Sequence, residues 1–180
     1  MSAEGQVLQG TIEAARWPAE VPLARALFLE YAAWLDIDLC FQGFDAELAG
    51  LPGGYAPPGG GLWFARVDGV DAGVVGLRPF GAEGRAEGVC EMKRLWIRPD
   101  YRGLGLGRRL AEQTLAAARA AGYRRMRLDT LHRMAEAREL YASFGFRDVT
   151  ARVAEPHPEL IYMELGLAAA GAQGYSRPMG

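Results

Sequence analysis

At 180 residues, half of them hydrophobic and 23% charged, the chain is long enough for one domain with a sizeable core and falls in the globular class. A formal net charge of -2 supplies no general basic field, which argues against nucleic-acid binding. Two cysteines, Cys40 and Cys90, at a spacing unlike a metal site or a disulfide framework, point to a reducing compartment and to no metal. The start, MSAEGQVLQG, has no basic stretch leading an apolar one, and no window approaches the roughly 18 apolar residues of a membrane span. A soluble cytoplasmic protein without membrane association is expected.

Residues 6–14 alternate weakly and predict a first strand. Beyond Trp17 and Pro18, Leu23, Leu27, Tyr31 and Trp34 recur at helical spacing, predicting a helix that ends near Leu35. FDAELAGL opens as a short helix and gives way to a Gly- and Pro-rich surface loop over 52–61. LWFARV and DAGVVGLRPF, joined by DGVD, predict a hairpin, and the Gly-rich turn GAEGRAEG leads to the strand VCEMKRLWI, stopped by Pro99.

After that strand, GRRLAEQTLAAARAAG places Gly107, Leu110, Thr114, Leu115 and Ala118 on one helical face, with Gly122 as its cap. RRMRLDTL predicts a strand, and MAEARELYASFGF a helix with Ala137, Leu140, Tyr141 and Phe144 on one face, closed by Gly145. RDVTARV and ELIYMELGL predict a last pair of strands. Residues 1–167 form the expected domain, and 168–180, poor in large apolar residues, a flexible tail. A mixed α and β single domain follows, its two central strands parallel because a helix crosses between them.

Between the central strand and the helix after it, PDYRGLGLGRRL sets glycine at 103, 105 and 107, with Arg94, Arg98, Arg102, Arg108 and Arg109 around it. A strand feeding a Gly-rich turn that opens a helix suits an anion: amides of the first turn point out of the helix end, its dipole favours negative charge, and glycine admits the ligand to the backbone. A Walker loop fails for want of a lysine, and the dinucleotide pattern meets Arg108 where its third glycine belongs. Arg102-Gly103-Leu104-Gly105-Leu106-Gly107 instead resembles the R/Q-x-x-G-x-G/A signature of the GNAT superfamily of N-acyltransferases. LWIRP before it and ARELYASFGF after it resemble the same family over residues 90–146.

The resemblance implies an α+β fold with one mixed sheet, helices on both faces and splayed parallel central strands. It also implies acetyl-CoA as cosubstrate, with the amides of residues 103–108 on the pyrophosphate and the side chain of Arg108 or Arg109 beside them. The cofactor's arm would lie along Leu95, Trp96 and Ile97. The reaction implied is direct attack of a neutral amine on the thioester.

Tyr141 matches the family tyrosine that protonates the departing thiolate, or else is a core aromatic of its apolar face. Glu91 matches the glutamate base of some members, histone acetyltransferases among them, with a carboxyl raised by apolar neighbours, or else is a cross-strand partner of Arg94 or Arg127. Met134 stands where many members have asparagine. His132 and His157 are further bases or acceptor contacts, and read more simply as structural or solvated.

The acceptor is expected between the early helices and the final strands. Tyr31, Trp34 and Phe41 would form an apolar floor, with Asp36, Asp38, Asp45 and Glu47 drawing in a cationic amine, or those acids are simply a solvated face. A small-molecule or peptide amine is the implied partner, in a monomer or homodimer. A non-catalytic acyl-CoA-binding module and transfer of a longer acyl group are the competing readings.

Overall fold

Hydrophobic alternation and helical periodicity resolve, in a computed structural model that describes residues 10–167, into one seven-stranded sheet. In chain order the elements are β1 (Gly10–Ala14), α1 (Val21–Leu35), α2 (Phe44–Ala49), β2 (Gly61–Val67) and β3 (Val70–Pro79). There follow α3 (Gly84–Glu87), β4 (Val89–Ile97), α4 (Leu106–Ala120), β5 (Arg125–Leu131), α5 (Ala135–Ser143), β6 (Arg147–Asp148) and β7 (Leu160–Gly166). The strands lie in the order β1-β2-β3-β4-β5-β7-β6. Every neighbouring pair is antiparallel except β4 and β5, which are parallel, as a helical crossover requires.

Two cores sandwich the sheet. On one face Leu110, Ala111, Leu115 and Ala118 of α4 pack with Tyr141 and Phe146 against Cys90, Met92, Met126 and Leu128. On the other, Ala24, Leu27 and Phe28 of α1 pack with Phe44 and Tyr55 against Leu62, Phe64, Val74 and Trp96. Side chains such as Phe28, Phe64 and Leu110 are fully buried, each worth about 2 kcal/mol of transfer free energy.

The feature that positions the site is a bulge in β4. Gly76 pairs with Lys93 and Val74 with Trp96, so Arg94 and Leu95 together oppose Val75. Arg94 takes a left-handed φ of 59°, and the alternation of β4 slips there. Cys90, Met92, Leu95 and Ile97 face the α4 core, while Trp96 belongs to the α1 core. β4 and β5 stay paired only from Val89 opposite Arg125 to Glu91 opposite Arg127, and beyond that point they diverge.

Three predicted elements need correction. RDVTARV is a strand for only two residues: Asp148 Oδ1 accepts from Thr150 N at 2.8 Å, an Asx turn that drops 150–152 into a 3₁₀ turn. The turn GAEGRAEG contains the short helix α3. Gly53–Tyr55, within the predicted loop, is a 3₁₀ turn that buries Tyr55. Residues 6–9 of the first predicted strand and the tail 168–180 lie outside the described residues.

Candidate active site

The divergence of β4 and β5 opens a cavity of about 710 Å³, within the range usual for ligand sites. One wall is the loop and first turn of α4, with Gly103, Gly105, Leu106 and Gly107; the opposite wall is the start of α5, with Ala137, Leu140 and Tyr141. Its floor is Leu95, Trp96 and Ile97. Those residues no longer pair with β5, so this side of the β4 backbone is open to an extended ligand chain.

Gly103 and Gly105 have φ of 79° and 72°, values that favour glycine, and a Cβ at either would meet nothing within 4 Å. The first helical bond of α4 runs from Arg109 N to Gly105 O, so the amides of Leu106, Gly107 and Arg108 lead out of the helix end. With the dipole of a 15-residue helix behind them, they form a cradle that suits a pyrophosphate. The apolar walls and open strand edge suit an extended amide-bearing arm, so the residues present fit coenzyme A.

Tyr141 is placed by the closure of α5. Gly145, at φ 94°, turns the chain so that Phe146 N donates to Tyr141 O at 3.2 Å, and the two rings meet edge-on at 5.9 Å. Burial, and secondarily the nearby Tyr31 and Asp129, push the Tyr141 hydroxyl well above its ordinary range, so it is protonated at neutral pH.

A second cavity, of about 20 Å³, adjoins the first and shares Leu95, Met134 and Tyr141 with it. Tyr31 from α1 and Lys93, Arg94 and Asp129 from the diverging strands line it. Lys93 Nζ donates to Asp129 Oδ1 at 2.8 Å and to Gln42 Oε1 at 3.2 Å; Gln42 Nε2 donates to Asp129 Oδ2 at 2.9 Å. Arg94 is clamped to Glu47 through Nε at 3.0 Å and Nη2 at 2.7 Å. Burial works against the charge on Asp129, but Lys93, Gln42 and Arg94 hold its carboxyl below the ordinary value. Burial raises the Tyr31 hydroxyl to about 12.

Of the residues singled out in the sequence, Leu95, Trp96, Ile97, Arg102, Gly103, Gly105, Leu106, Gly107, Tyr141 and Trp34 line the larger cavity, and Tyr31 the smaller. Others stand elsewhere. Glu91 lines neither cavity: it stands opposite both Arg78 and Arg127, but its Oε1 accepts from Arg78 Nε at 2.6 Å, while Arg127 bonds Glu164 and Arg94 bonds Glu47. Leu104 is exposed outside the cavity. The Arg108 side chain turns to Ser143 Oγ at 2.9 Å and lies over Phe144, while Arg109 Nη1 donates to Gly10 O at 2.7 Å. Arg102 is held between Trp34 and Trp96, 4.7 and 5.0 Å from their ring centres, with its Nε on Ile97 O at 3.2 Å.

Asp36 ends α1 in a left-handed turn and Asp38 accepts from Cys40 N at 2.8 Å; neither lines a cavity. Glu47 is buried on Arg94, so no acidic funnel forms there. Phe41 falls in the 3₁₀ turn Cys40–Gln42, and its side chain is outside the described set. His132 and His157 line neither cavity. The residues missed were Lys93, Asp129, Gln42 and Arg133, and Arg94, counted among the arginines around the glycine loop, stands instead at the smaller cavity. Their one signal was the consecutive pair Lys93-Arg94, two charges in the middle of a mostly apolar strand, where the bulge falls.

Among known proteins, the model of the acetyltransferase (GNAT) family matches residues 23–146. An uncharacterized N-acetyltransferase of Schizosaccharomyces pombe is 38% identical over 88% of this chain and 95% of its own. The N-acetylaspartate synthetase of Rattus norvegicus is 31% identical over 62% of this chain and 35% of its own. In fold, an acetyltransferase of Salmonella typhimurium solved with acetyl-CoA superimposes with a TM-score of 0.64, at 20% identity, over 93% of this chain and 99% of its own. The phosphate cradle, the diverging parallel strands and the extent of these matches agree: the chain belongs to the GNAT acetyltransferase family and is an acyltransferase.

Proposed function

We propose that this chain moves an acetyl group from acetyl-CoA to the nitrogen of a small-molecule or peptide amine by direct attack within one ternary complex. What carries the reading is that the two cavities meet at Tyr141 and Leu95, so that a thioester in the larger one and a nitrogen in the smaller one share a single junction. When bound, acetyl-CoA supplies an electrophilic carbonyl and a thiolate leaving group. The acceptor ammonium gives one proton to water, the nitrogen lone pair forms the N–C bond, the C–S bond breaks toward sulfur, and the second proton shed by the nitrogen goes to water or to the departing thiolate.

Tyr141 then serves the sulfur. A hydroxyl held well above 10 does not surrender its proton outright to a thiolate whose conjugate acid is near 8.5. It donates a hydrogen bond to the charge as it develops, from a ring that is itself buried. Direct attack is further supported by the cysteines. Neither lines a cavity, and Cys90 donates to Arg125 O while burial lifts its thiol to about 12, leaving no thiolate to carry an acyl group.

Replacing Tyr141 with Phe is expected to lower the rate of acetyl-CoA-dependent thiol release by about 100-fold while leaving CoA affinity within about twofold. A folded Tyr141→Phe protein working at the wild-type rate would return this side chain to the core alone.

A further inference from the structure

The small cavity beside Tyr141 is lined by Lys93, Arg94 and Asp129, and the lysine and the carboxylate have hydrogen-bonding capacity to spare. Lys93 has three N–H groups and spends two, on Asp129 and Gln42. The Asp129 carboxylate offers about four acceptor positions and spends two, on Lys93 and Gln42. A free donor and free acceptors therefore stand side by side, on a space of about 20 Å³ that adjoins the larger cavity at Leu95, Met134 and Tyr141. We infer that the acceptor is a small zwitterion, an amine carrying a carboxylate a few ångströms from its nitrogen as in a free amino acid, whose ammonium meets Asp129 and whose carboxylate meets Lys93.

Charge balance points the same way. The buried network joins Arg78, Lys93 and Arg94 to Glu47, Glu91 and Asp129, three charges of each sign. Into a balanced buried network a polyamine brings uncompensated positive charge and a zwitterion brings none. The larger cavity adds cations: Arg102 is spent on the carbonyl of Ile97 and Arg133 on that of Leu35, and neither has a carboxylate partner among the described residues. Against them this cavity's lining carries one carboxylate, Glu136. As the ammonium loses its proton on the way to attack, the remaining carboxylate thus stays among compensating charges. This inference rests on the acetyl-transfer reading above and selects among its acceptors.

The test uses the full-length protein with saturating acetyl-CoA and reads CoA thiol release. Alanine, glycine, aspartate and glutamate are compared with alaninamide, glycinamide, the N-terminal amine of a tetrapeptide, and spermidine. At least one free amino acid is expected to exceed its own amide or the peptide by tenfold or more in kcat/KM, with spermidine near background. Lys93→Met is expected to raise KM for that amino acid at least tenfold, leave KM for acetyl-CoA within about twofold, and abolish the preference over the amide. Equal use of acid and amide, or a preference for spermidine or the peptide, overturns the inference while leaving acetyl transfer intact. Acetyl-CoA that binds but is passed to none of these amines also overturns it. Failure to bind acetyl-CoA at all, read by calorimetry, overturns the acetyl-transfer reading itself. Should Lys93→Met fail to fold, the comparison of acid with amide on the wild-type protein decides alone.

Discussion

Tyr141 and Glu91 lie on opposite sides of the question of which groups do chemistry here. Tyr141 lines both cavities, and the closure of α5 at Gly145 fixes its ring against Phe146. Glu91 is bound to Arg78, which in turn lies over the Tyr55 ring. Glu91→Gln is therefore expected to leave the pH dependence of turnover unchanged and to cost about 1 kcal/mol of stability, read from a denaturant midpoint. Loss of the acidic limb of the pH–rate profile would put Glu91 back into the mechanism. From the sequence, helical spacing fixed which face Tyr141 shares, and the resemblance of ARELYASFGF to the family singled it out from the core aromatics. The surroundings of Glu91 were not legible, because the partner of a strand residue depends on the register with both neighbouring strands, and here an arginine stands opposite it on each side.

At the scale of elements, the cofactor recognition proposed for the glycine turn and α4 would run through backbone and not through the arginines that crowd the motif. Charge count along a chain says nothing about direction: Arg102 folds onto two tryptophans, Arg108 onto α5 and Arg109 onto β1. Gly105→Ala meets no steric obstacle, so only its left-handed φ opposes it, at a cost of about 1 kcal/mol. The added methyl stands in the cradle, and CoA affinity by calorimetry is expected to fall at least tenfold; an unchanged affinity would move the phosphates away from this turn.

The start of α1 carries a separate prediction. Glu20 accepts from the backbone and guanidinium of Arg16 and from Arg66, each at 2.7 Å, and the Arg16 contacts, helped by Arg66, bring its pKa from 4.5 to about 2. Its contribution to stability is full above about pH 4.5 and is lost as pH falls toward about 2. Glu20→Gln should therefore be less stable than wild type at neutral pH, the gap closing through that window in thermal melts taken at stepped pH. A gap that persisted at pH 2 would assign the loss to packing.

Over the whole molecule, periodicity and turn residues marked nearly every element, because β2, β3, β4 and α4 bury continuous or one-sided apolar faces that leave little choice of structure. The failures came where a side chain competes with the ladder, as Asp148 does, or where charges are buried in pairs. Lys93 with Asp129 and Arg94 with Glu47 join residues 36 and 47 positions apart, a closeness that no local pattern encodes. The fold brings together a slot open through the sheet, one tyrosine from each face and no cysteine in the lining. That arrangement suits the proposed direct transfer, in which both substrates are present at once.

Initial rates of thiol release, with acetyl-CoA and the best amine varied against each other, test this directly. The account predicts double-reciprocal lines that intersect, the signature of a ternary complex, and no burst of thiol release when the amine is omitted. Parallel lines with a stoichiometric burst would reveal an acyl-enzyme and contradict it.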